Sequence, residues 1–148
     1  MLGHSRRVGL LARLLLGDGT LRPQLRAALE AEGLVLVEEG LRGSVRYERF
    51  RMPGRRHHGK VTGERIGLAI SEERVVLYCR SGRVKLVDSP FSNPHLDMVD
   101  VSAVDDRVEI LVDYDRADLP KIAGRILIRA HTPNAGTIVR ELRARLGR

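Results

Sequence analysis

Residues 63–88 read GERIGLAISEERVVLYCRSGRVKLVD, and this stretch decides the fold. Ile66, Leu68 and Ile70 recur at every second position, the period of a β-strand that buries one face. SEER then bends the chain into RVVLYCR (74–80), which is β-branched and apolar. Ser81 and Gly82 turn it again, and RVKLVD (83–88) returns. The strands arrive at hairpin spacing with no helix between them. That predicts an antiparallel sheet and argues against a parallel α/β sheet.

The same period extends in both directions. Upstream, LVLVEE (34–39) reads as a short strand or connector. SVRYERFRM (44–52) reads as a strand whose apolar phase switches from Val45/Tyr47 to Phe50/Met52, which suggests a bulge. Downstream, DSPFSNPH (88–95) is a loop and LDMVDV (96–101) a weaker strand. RVEILVDY (107–114) and GRILIRAH (124–131) alternate cleanly, the first through Val108, Ile110, Val112 and Tyr114, the second through Ile126, Ile128 and Ala130.

Helical patterns bracket the strands. Arg6 to Leu16 follows a capping Ser5, carries Leu10, Leu11, Leu14 and Leu15 on one side, and ends at GDG (17–19). A second helix is expected over about 21–32, capped by Thr20, with Leu21, Leu25, Ala28 and Leu29 on its apolar face and Gly33 after its end. The chain closes with TPNAGTIVRELRARLGR (132–148). Here Thr132 is the expected cap, Pro133 the first helical residue, Ala135, Ile138, Val139, Leu142 and Leu146 the apolar stripe, and Gly147 the stop. The expected organisation is an N-terminal helical extension, 1–33, before a barrel domain, 34–148. About seven short antiparallel strands need a solution for their edges, and a bent barrel provides one. The predicted fold class is mainly β (α+β), a split barrel capped by the C-terminal helix.

This order resembles the pleckstrin-homology-like superfold, including its GRAM and bacterial PH-like groups. The resemblance covers about residues 40–146 and rests on 63–88 and on the terminal strand followed by TPNAGTIVRELRARL. It implies a non-enzymatic binding module. In many such proteins the first hairpin loop holds phosphorylated lipid headgroups with Lys and Arg, which points at Arg49, Arg51, Arg55, Arg56 and Lys60. The chain departs from the usual basic-x-basic pair on the second strand, because Lys60 and Arg65 are five apart.

Charge agrees with that region. The net charge is +7, carried by 23 Arg and only 3 Lys, a bias that a GC-rich genome also produces. Residues 42–65 hold eight basic and two acidic side chains, whereas 88–118 hold two basic and nine acidic ones. Such bipolarity favours oriented association with a charged partner. Arg49 and Arg51 are two apart and share a strand face, and guanidinium groups suit oxyanions through paired donors. The contrary expectation is a basic loop that is merely solvated.

Other chemistry finds little support. PGRRHHGKVT (53–62) contains Gly54, Gly59 and Lys60 at phosphate-loop spacing, but Val61 stands where that loop needs Ser or Thr, and a strand follows where it needs a helix. His57 and His58 are adjacent, with His95 and His131 at no ligand spacing, so no metal site is expected. Asp105, Asp106, Asp113, Asp115 and Asp118 form an acidic cluster; Asp113 and Asp115 have the spacing to converge, but the surrounding residues read as turns. No nucleophile elbow and no cofactor motif appears. Cys79 is the only cysteine, so a disulfide within the chain is impossible, and its apolar run marks it as a core residue. Three Tyr, two Phe and no Trp argue against nucleic-acid stacking. No apolar stretch reaches the roughly 20 residues that span a bilayer. Arg13 interrupts the signal-like N-terminus and no cleavage site follows, so a cytoplasmic protein is expected, peripheral at a membrane if its basic hairpin meets anionic lipid.

The leading expectation is thus a binding module that recognises a protein partner or an anionic membrane surface. Its alternatives are a small metal-dependent enzyme using the 105–118 carboxylates, and a structural subunit that forms a homodimer through residues 6–16.

Overall fold

The computed structural model describes residues 21–79 and 84–148. The expected helix over 6–16, the caps at Ser5 and Thr20 and the Ser81-Gly82 turn lie outside these residues. The chain is mainly β, with seven antiparallel strands hydrogen-bonded in the order β5-β4-β3-β1-β8-β7-β6 and a C-terminal helix; β2 pairs with β1 beside this path. This is the predicted class. The strands are β1 (Leu34–Met52), β2 (Arg55–His57), β3 (Val61–Ser71), β4 (Arg74–Cys79), β5 (Val84–Pro90), β6 (Val99–Val104), β7 (Arg107–Asp113) and β8 (Ala123–His131), with helices α1 (Pro23–Ala31) and α2 (Ala135–Leu146). LVLVEE is not a separate connector: β1 runs on through it as one 19-residue strand. The chain divides into two compact units, and β1 and β3 contribute to both.

One unit holds the described residues up to Arg42 together with Glu64–Ser92. Pro23 opens α1, where its missing N–H costs no bond, and Gly33 leaves the helix at φ +89. The buried stripe passes through Leu21 and Leu29 with Leu25 beside them, while Ala28 is exposed, contrary to expectation. From Ile66 to Ser71 every residue of β3 is buried, and so are Val75 to Cys79 of β4. The strict alternation read from the sequence therefore understates this pair, in which both faces are covered. Gly67 lies opposite Tyr78, and a Cβ there would enter the Tyr78 ring. The SEER bend is tied down by Ser71, whose hydroxyl donates to Glu32 Oε1 at 2.9 Å and accepts from the Arg74 N–H at 3.0 Å. Arg74 then bridges Glu32 and Asp88, each at 3.0 Å.

The second unit holds Gly43–Gly63 and Asn93–Arg148. Here β6, β7 and β8 form an antiparallel meander that continues onto β1. Val108, Ile110 and Val112 of β7 and Ile126, Ile128 and Ala130 of β8 are buried, as their alternation predicts, while Tyr114 is only partly so. Residues Pro94–Met98 form a 3-10 turn, started by Asn93 accepting the His95 N–H, so the strand expected from 96 begins only at Val99. The last helix also starts later than expected. Thr132 accepts the Asn134 N–H at 3.1 Å and shapes a turn containing Pro133, and α2 begins at Ala135. Ala135, Ile138, Val139 and Leu142 are its buried residues, and Gly147 ends it at φ +79. α2 packs on β6 and β7. Among the described residues β6 has no strand neighbour beyond β7, and arginines of the C-terminal segment cover its edge instead. Arg143 donates to the Val101 carbonyl at 3.0 Å, and Arg148 donates to the carbonyls of Val99 and Leu96 at 2.7 and 2.8 Å.

Candidate functional site

The basic stretch folds as a hairpin rather than as a loop between two strands. Met52 pairs with Arg55, Arg51 with Arg56 and Phe50 with His57. Only Pro53 and Gly54 remain to turn the chain, and Gly54 takes φ +78, which glycine adopts without steric cost. Residues directly opposite one another in an antiparallel pair project to the same face. Accordingly, the rings of Phe50 and His57 stack, 6.5 Å apart and within 5° of parallel. Arg51 and Arg56 occupy the other face, side by side.

A bulge sets this hairpin against β8. The β1–β8 register shifts between Glu48 and Arg51, where the change of apolar phase suggested it, and Arg49 takes a left-handed φ of 48. For a residue with a Cβ that conformation costs roughly 1–2 kcal/mol. Gly124 on β8 makes room for the bulge: it adopts φ +93, and a Cβ there would run into the Arg49 carbonyl. Two side chains hold the strained backbone. His58 Nδ1 accepts the Arg49 N–H at 3.1 Å, which assigns the neutral tautomer with its proton on Nε2. Asp115 Oδ1 accepts the Gly124 N–H at 2.9 Å. The far end of the segment returns to β1, with Gly59 N–H donating to the Tyr47 carbonyl and Tyr47 N–H to the Lys60 carbonyl, each at 2.9 Å.

The five candidate cations are thereby sorted. Arg49, Arg51 and Arg56 line one open hollow of about 470 Å³ with His57, His58, Asp115 and Gly124. Arg51, Arg55 and Arg56 line a second, of about 540 Å³, with Lys121. Lys60 lines neither: it sits across from Tyr47, away from the Pro53-Gly54 tip. All five side chains are exposed. Among the described residues none of them forms an ion pair, whereas Arg74, Arg107, Arg116, Arg129 and Arg145 all do. Like charges directly opposed on a sheet are destabilising, so Arg51 and Arg56 are an uncompensated pair.

Behind the hairpin lies an aromatic cluster. Phe50 is buried and lies 5.5 Å from Tyr47 and 5.8 Å from Tyr114, and Tyr47 is 5.1 Å from His57. Burial, and then the positive charges of Lys60 and Arg55, hold His57 below the ordinary imidazole value. Burial and the nearby Tyr47 raise the Tyr114 phenol above its ordinary value.

The acidic cluster is spread over turns. Asp105 and Asp106 form the β6–β7 turn, with Asp105 at φ 53, and Asp118 takes φ 50. Asp113 and Asp115 do not converge on one point, since Asp113 accepts the Asp115 N–H and Asp115 accepts that of Gly124. Among the described residues no three His, Cys, Asp or Glu side chains are grouped to hold a metal ion, and no helix is long and apolar enough to cross a membrane. Sequence reasoning missed Lys121, Asp115 and Gly124 as members of the hairpin site. The phase switch in β1 did signal that some residue opposite had to yield space. No protein-family model matches this chain, and no curated protein matches it.

Proposed function

We propose that this chain is a non-enzymatic binding module that docks through its β1–β2 hairpin onto an anionic surface, either of a membrane or of a protein partner. The observation that carries this reading is the Arg51–Arg56 pair, exposed, in register and, among the described residues, without an ion-pair partner. The repulsion between the two guanidinium groups is relieved when an oxyanion sits between them, and the flanking Arg49, Arg55 and Lys121 add to the field. The likeness of the strand and helix order to the pleckstrin-homology-like superfold supports the same reading. The alternative use of the 105–118 acids is less favoured, because Asp113 and Asp115 each accept a backbone N–H instead of converging.

Co-sedimentation at physiological salt tests the proposal, with neutral vesicles, vesicles containing phosphatidylserine, and polyglutamate-coated beads as the probe for an acidic protein face. The wild type is expected to pellet with at least one anionic probe and not with neutral vesicles, and Arg51→Glu/Arg56→Glu with neither. At that salt only close, multivalent contacts survive screening. A wild type that stays in the supernatant with both anionic probes overturns the proposal.

A further inference from the structure

His58 is the one imidazole of the hairpin whose lone pair the backbone uses. Its Nδ1 accepts the N–H of Arg49, the residue held at φ 48 in the bulge. A proton on Nδ1 turns that acceptor into a second donor. Two donors then face each other across the former bond, and a third party with lone pairs is needed to satisfy both. The hollow they open into is lined by Arg49 and Arg51 from β1, by Arg56 and His57 from β2, by His58 itself, and by Asp115 beside Gly124. The only carboxylate among these already accepts the Gly124 N–H. An oxyanion is the group that fits: it accepts from the Arg49 N–H and the protonated His58, in a hollow that Arg51 and Arg56 also line. His57 is no substitute: it lines the same hollow, but its ring stacks on Phe50 and, among the described residues, it accepts no backbone N–H.

We propose that His58 is a proton-operated latch on the β1 bulge, and that its opening strengthens the hold of the hairpin on a phosphate-type anion. Proton and anion then bind cooperatively, and each raises the affinity for the other by the same factor. The anion half rests on the hairpin reading above; the latch itself does not.

Amide NMR of the full chain tests both halves, with inorganic pyrophosphate as the anion, over the range where imidazole titrates, about pH 5 to 8. The key variant is His58→Asn, whose side-chain oxygen takes the place of Nδ1 and accepts the same N–H without titrating. In the wild type the Arg49 amide proton is expected to move upfield as pH falls, and in His58→Asn to stay where it is. Between the neutral and the acid end, pyrophosphate affinity is expected to change about tenfold more favourably in the wild type than in the variant, the least that one charge-assisted hydrogen bond contributes; His57 and the anion, which also take up protons in this range, act alike on both proteins. An Arg49 amide response that is the same in both proteins overturns the latch. If the latch responds but pyrophosphate affinity changes equally in both proteins, the coupling falls. If the latch responds and pyrophosphate binds nowhere in the range, the anion half falls and the latch stands, while the hairpin reading is decided by the vesicle and polyglutamate probes.

Discussion

The arginines of the β1–β2 hairpin and those at the end of α2 belong to the same compact unit and are used in opposite ways. Arg143 and Arg148 turn inward along the chain's own backbone and cover the carbonyls of Val99 and Val101 on an edge strand and of Leu96 in the turn before it. Arg145 pairs with Glu141 one helical turn away, at 2.7 Å. Arg51 and Arg56 are held side by side by strand pairing, are exposed and form no ion pair among the described residues. Total charge therefore says little about where a partner docks. What matters is which cations the fold has left uncompensated, and in this unit strand register decides that.

The sharpest way to break the comparison is to remove the space that lets the hairpin bulge. Gly124→Ala puts a Cβ against the Arg49 carbonyl at a backbone angle that L-residues rarely adopt. The expected loss is about 3 kcal/mol or more in urea unfolding, together with loss of anion binding as the arginines move out of place. An unchanged unfolding midpoint would mean that the bulge is not held by this contact.

A smaller effect is expected at the other region. Arg143→Ala/Arg148→Ala uncovers the edge of β6 and removes charge-assisted hydrogen bonds, which lowers stability by about 1–3 kcal/mol. The open edge should also self-associate, visible as concentration-dependent sedimentation that the wild type does not show. If the variant sediments as the wild type does, these arginines are not edge covers. Arg51→Glu/Arg56→Glu, in contrast, should lose binding without any such change in sedimentation.

The smallest effect is a pH dependence. His57 is held below the ordinary imidazole value of about 6.5, so its NMR titration midpoint should fall under that figure. The folded state then binds this proton less readily than the unfolded chain does. Its contribution to stability is present above the unfolded value and is lost as pH falls through the folded one. His57→Gln should flatten that slope. A midpoint at or above the ordinary value would mean that the aromatic cluster and the Lys60 and Arg55 charges do not govern this ring.

Much of the fold was legible in the sequence. Period-two alternation located β7 and β8 through Val108, Ile110, Val112, Ile126 and Ile128, because a strand with one face on the core must alternate. The change of apolar phase between Tyr47 and Phe50 located the bulge. Gly33 and Gly147 marked helix ends, since each leaves its helix in a left-handed conformation. The start of α2 was less legible, because Thr132 bonds one residue too early to cap it. The buried run of β3 was also misread, because alternation cannot show that both faces of a strand are covered. Of the candidate site, the basic side chains could be read and their arrangement could not.

By itself, then, the sequence determined the element types, the antiparallel class and the basic character of residues 49–60, all of which follow from local periodicity, turn residues and charge. Only the tertiary structure decided that Arg51 and Arg56 stand opposite each other, that Lys60 lies away from the tip, and that Asp115 and Gly124 belong to the same hollow. Those facts depend on strand register and on contacts between residues as much as 75 positions apart, such as Arg49 and Gly124. A one-residue shift of register would have turned the same arginines toward other neighbours.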